Sequence, residues 1–98
     1  MIRPNTDAIL HLTWKLLDAG RIDDAYKTAR GHVEVSDSSA TWHALAHTLQ
    51  AKGQWADAIA ALEKALTRAP ADEDLKRRLD RVRRNHANTS QDTGNPTP

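Results

Sequence analysis

The sequence contains no cysteine and no phenylalanine. The first absence removes disulfides, thiolate catalysis and thiolate metal sites together. The second leaves few bulky side chains to fill a core, so close approach of helix backbones has to supply much of the packing. An excess of one charge is also lacking. With 14 basic and 13 acidic residues and a net charge of +1, no bulk field selects a nucleic acid or a membrane. No apolar run is long enough to span a bilayer. The N-terminal stretch lacks the continuous apolar segment of a cleaved signal, because Asp7, His11, Thr13 and Lys15 interrupt it. A cytoplasmic location is expected. Spacing suggests no Ser, His and Asp set, and no glycine loop could cradle a phosphate. An enzyme is therefore not expected, nor is any cofactor.

What is present is an alanine-, leucine- and arginine-rich composition suited to a soluble all-α chain. The stretch from Ser39 to Asp72 carries the clearest pattern. Trp42, Leu45, Ala46 and Leu49 recur at helical spacing and share one face. Gly53 breaks the run, where a left-handed residue lets a helix end. Trp55, Ala58, Ile59, Leu62, Ala65 and Leu66 restart the period, and Pro70 stops it. Ala46 and Ala58 are small enough for two helix backbones to approach.

The order W-x-x-L-A-x-x-L, then G-x-W, then A-x-x-x-L-x-x-A, then P resembles a tetratricopeptide repeat. That repeat is a helix–turn–helix of about 34 residues. Ala46 stands in the place of the family's glycine, and Leu49 and Leu62 in those of its tyrosine and phenylalanine. The resemblance implies a short right-handed superhelix of antiparallel helix pairs.

A second, degenerate copy precedes the clear one. Gly20 and Gly53 lie 33 residues apart, as do Ile22 and Trp55, Ala25 and Ala58, Leu12 and Leu45, and Leu16 and Leu49. In this copy Ile9 stands where Trp42 does, and no proline ends it. The spacing predicts helices over 6–19 and 22–35, with a turn at Ser36-Asp37-Ser38-Ser39 rich in helix-capping residues. The organisation read from the chain is a lead (1–5), a first repeat (6–38), a second repeat (39–71), a capping helix (72–86) and a disordered polar tail (87–98). The capping helix carries the narrow stripe Leu75, Leu79 and Val82. Continuing the array beyond it would bury Lys76 and Arg83, which is costly without counter-charges. The expected structural core is Leu12, Leu16, Trp42, Leu45, Leu49, Ala58, Leu62 and Leu79.

In the family that the chain resembles, the first helices of successive repeats line a concave groove for a peptide or a partner's helix. Copying the repeat spacing gives three stripes: Leu10, Trp14 and Leu17; His43, His47 and Gln50; and Arg77, Arg81 and Arg84. Some members clamp a peptide's C-terminal carboxylate with lysine and asparagine on the first helix. Leu10 and Trp14 occupy those places here, which disfavours that activity. The function implied is a scaffold or adaptor that binds another protein, with a second copy of the chain as an alternative partner.

Two other constellations compete with this reading. Lys76, Arg77, Arg78, Arg81, Arg83 and Arg84 against Asp80 could grip nucleic acid or an acidic peptide. However, Asp72, Glu73 and Asp74 open the same helix, so its charges follow the helix dipole, and no aromatic is interleaved for base stacking. Nucleic acid is thus disfavoured. His43 and His47 have the i, i+4 spacing of two metal ligands on one helix face. A metal site needs a third ligand, and the plainer reading makes both exposed polar residues. Finally, Ile9, Leu12 and Leu16 are expected to face the partner helix. That leaves Leu10, Trp14 and Leu17 as an apolar patch at the open N-terminal edge, where Trp14 would be an interface residue.

Overall fold

A computed structural model describes the backbone of residues 6–94 and the side chains of residues 8–87. The expected lead at 1–5 and the last residues of the expected tail, 95–98, lie outside it. The fold is all-α, with α1 (Thr6–Asp18), α2 (Ile22–Val35), α3 (Ser39–Ala51), α4 (Trp55–Arg68) and α5 (Glu73–Gly94). Each helix packs against the next, and α1 also touches α3, so the first helices of the two pairs are neighbours.

The same hydrogen bonds end the first helix of both pairs. Gly20 N–H donates to Leu17 C=O (3.0 Å) and Arg21 N–H to Leu16 C=O (2.8 Å). In the second pair, Gly53 donates to Gln50 (2.9 Å) and Gln54 to Leu49 (2.9 Å). This is the Schellman closure, which needs a left-handed residue. Gly20 and Gly53 supply it at φ 77° and 76°. Between the pairs, Ser38 caps α3: its hydroxyl accepts from Thr41 N–H while Thr41 Oγ1 accepts from Ser38 N–H. At the start of α5, Asp72 Oδ1 accepts from Leu75 N–H (3.2 Å).

The core is built largely of alanine. Ala29, Ala46, Ala58, Ala61 and Ala65 are buried with Leu45, Leu49, Leu62, Leu75, Leu79 and Val82. Trp42 is half-buried against this cluster. Its indole N–H donates to Asp37 (2.6 Å), so one edge of the ring remains polar.

Three expectations need correcting. Leu12 is not core: it is 48% exposed, while Thr13 beside it is fully buried and donates its hydroxyl to Ile9 C=O. Leu45, the counterpart of Leu12, is 4% exposed and belongs to the buried cluster that includes Ala29 of α2. Among the described residues no helix precedes α1 to cover Leu12 in the same way. Second, α5 continues as helix past His86 to Gly94, so 87–94 is not the disordered segment expected. Third, His43 and His47 are half-buried, because α1 packs across α3 and brings Trp14 against them.

Candidate interaction surfaces

One surface lies where the first helices meet. Trp14 of α1 is half-buried, with its ring edge-on to His47 (4.7 Å between centroids) and to His43 (5.8 Å) on α3. Trp14 therefore has an intramolecular packing partner, contrary to the expectation of a bare patch. Leu10, Leu17 and Gln50 flank it, also half-buried. His43 Nε2 and His47 Nδ1 are enclosed without a hydrogen-bond partner. Burial pushes both imidazoles below their ordinary pKa, and the Arg78 guanidinium pushes them the same way. Asp72 and Asp74 oppose this at His43, and Asp18 at His47. Both rings therefore favour the neutral form. No cluster of three or more His, Asp, Glu or Cys gathers among the described residues, so the pair offers a metal two nitrogens only.

The arginines of α5 divide between faces. Copying the repeat spacing selects Arg77, but it is Arg78 whose field reaches the histidines. Arg77 instead lines the other side of α5, with Leu66, Leu79 and Arg83 against α4, and pairs with Asp74. Arg84 pairs with Asp80 (2.6 Å) and Arg83 with Glu63 (3.0 Å). Arg81 lies between these two sides, three residues on from Arg78 and four from Arg77. The spacing rule identifies equivalent positions in successive repeats. It does not identify positions that face one another, because neighbouring helices present different sides at their contact. Arg78 holds the place of Ala44, 34 residues earlier, which is buried in α3.

A second surface escaped the sequence reading. A cleft of about 270 Å³ opens between α2 and α4, with α3 as its floor. Tyr26 and Arg30 form one wall, Trp42, Leu45 and Leu49 the floor, and Lys64 the opposite rim. The Lys64 ammonium sits 5.8 Å from the Trp42 ring centre, within cation–π range. The signal for it was the shortage of bulky residues: Ala60 and Ala61 face a space that a larger side chain would fill.

Stacked antiparallel helix pairs with a repeated turn define an α-helical repeat protein. The family model for the tetratricopeptide repeat matches residues 6–79, so the chain belongs to the tetratricopeptide repeat family. No curated protein and no solved structure gives a significant match. Among the described residues no helix is long and apolar enough to cross a membrane.

Proposed function

We propose that the chain is a non-enzymatic, cytoplasmic scaffold or adaptor that receives a peptide or a partner's helix on the surface around Trp14, His43 and His47. Family membership supports protein binding in general. The observation that carries this particular surface is Trp14 seated edge-on against two imidazoles, each with an enclosed and unpartnered nitrogen. An apolar partner side chain would cover the half-buried indole, and aromatic residues of this kind dominate binding energy at interfaces. A second copy of the chain is the alternative occupant. Leu12, 48% exposed on the same helix, favours it as an apolar contact. Nucleic acid is less well supported, since Arg77, Arg83 and Arg84 are already paired with carboxylates.

The test places a photo-crosslinking residue at Gln50 and identifies what it captures. Binding of the captured protein is then measured for Trp14→Ala and for Arg78→Glu with Arg81→Glu. The reading expects Trp14→Ala to weaken binding by about tenfold, with little dependence on salt. Loss confined to the arginine variant, with a steep salt dependence, would instead favour phosphate binding.

A further inference from the structure

We infer that the cleft between α2 and α4 is a separate docking site for an acidic, aliphatic peptide segment, independent of the Trp14 surface. Its floor supplies the apolar half of the argument. Trp42, Leu45 and Leu49 run along two turns of α3, and Asp57 and Lys64 are two turns apart on α4. Two turns span ~10 Å, the reach of about three extended residues. A cleft of this shape and size accommodates a short stretch of chain with one or two aliphatic side chains directed at the floor.

The ends of the cleft carry the electrostatic half. Helices α3 and α4 are antiparallel neighbours, so Lys64 stands at the Trp42 end and Asp57 at the Leu49 end. At the Trp42 end Arg68 and Lys64 both act on one carboxylate, Asp37, while Arg30 lines the α2 wall. That carboxylate is already engaged: Arg68 donates to both of its oxygens, and Trp42 donates to one. Neither Arg30 nor Lys64 has an ion pair among the described residues. Lys64 is instead held over the Trp42 ring, which fixes a cation at the mouth. With Arg30, Lys64 and Arg68 against the single carboxylate of Asp37, this end is net positive beside an apolar floor, which favours a carboxylate next to an aliphatic side chain and disfavours a basic segment.

The three tryptophans make the test direct, because each marks a different region: Trp14 the α1–α3 contact, Trp42 the cleft, and Trp55 the start of α4. The probe is a capped peptide of alternating leucine and glutamate, titrated into the ¹⁵N-labelled chain. The indole N–H signal of Trp42 should shift saturably while that of Trp14 stays in place. The same peptide with lysine for glutamate should not bind, nor should one with alanine for leucine. Arg30→Gln with Lys64→Gln, both exposed positions, should weaken binding by about tenfold without changing the circular dichroism spectrum. The inference fails if no indole signal moves, if the lysine peptide binds equally well, or if the double variant binds as the wild type does. Movement of Trp14 alone would overturn the cleft while supporting the Trp14 surface, so the two readings fail separately.

Discussion

Asp37, in the turn between the repeats, is held by Arg68 in the last turn of α4. Arg68 Nε donates to one carboxylate oxygen (3.0 Å) and a terminal nitrogen to the other (2.5 Å). A residue before α3 is thereby tied to the far end of α4, and the Trp42 indole joins the same carboxylate. The hydrogen bond from Arg68, then that from Trp42, holds the Asp37 carboxyl at about 2, below its ordinary value of 3.8. Its pKa is depressed on folding, so its contribution to stability is complete above the ordinary value and is lost as pH falls towards 2. The Trp42 indole N–H resonance should therefore hold steady down to pH 4 and titrate only below it. Asp37→Asn should remove that titration and lower the melting temperature. A midpoint near the ordinary carboxylate value would show that the bond to Arg68 does not persist in solution.

Glycine-to-alanine changes should separate into opposite signs. Gly20 and Gly53 have open space around an added Cβ, so the penalty there comes entirely from positive φ. Alanine should destabilise each by about 1–2 kcal/mol. Gly31 is exposed within α2 with ordinary φ and nothing within reach of a Cβ. Alanine there should stabilise by roughly 0.5–1 kcal/mol. Urea unfolding of the three variants checks both signs.

Leu62 and Leu12 test where the core lies. Leu62 is fully buried among the alanines, so Leu62→Ala should cost about 3–5 kcal/mol. Leu12→Ala, at a position 48% exposed, should fall within about 0.5 kcal/mol of the wild type. Comparable losses at the two positions would restore Leu12 to the core.

The repeated turn and most of the core were legible because they follow from local chemistry. Gly20 and Gly53 mark left-handed residues at matching places, and the stripes Leu45 and Leu49 on α3 and Ala58 and Leu62 on α4 mark two buried faces. The first helix was less legible. Its apolar residues cover much of its circumference, so periodicity alone could not decide whether Leu12 or Thr13 pointed inward. Thr13 goes inside because its hydroxyl is satisfied by its own helix backbone. The half-buried histidines and the cleft depend on how separate helices cross, and spacing within one helix carries little of that information.

His32 should make stability sensitive to mild acid. It occupies the place of Ala65, is 2% exposed, and neither ring nitrogen has a partner. Burial lowers its pKa, so the folded state holds the neutral ring while the unfolded chain protonates near the ordinary value of 6.5. Stability should therefore begin to fall as pH drops below that value, and continue falling until the folded pKa is reached. His32→Leu removes an unsatisfied polar ring from the interior. It should raise stability at neutral pH by about 1–3 kcal/mol and flatten the acid slope. A variant with the wild-type slope would assign the acid sensitivity to His43 and His47.

Trp14 should control the titration of the two histidines beside it. Burial is the leading cause of their lowered pKa values and Arg78 the next, while Asp18, Asp72 and Asp74 act in the opposite direction. The indole covers His47 more closely than His43, at 4.7 Å against 5.8 Å. Trp14→Ala admits water to both rings, so both pKa values should rise towards the ordinary value, with the larger change at His47. Arg78→Ala should also raise both, but through lost repulsion, so added salt should mimic Arg78→Ala and leave the effect of Trp14→Ala intact. Proton NMR titration of the imidazole Cε1–H signals measures each ring separately. If Trp14→Ala leaves His47 unchanged, the water is excluded by α3 and α5 alone, and the Trp14 contact is looser than the edge-on geometry implies.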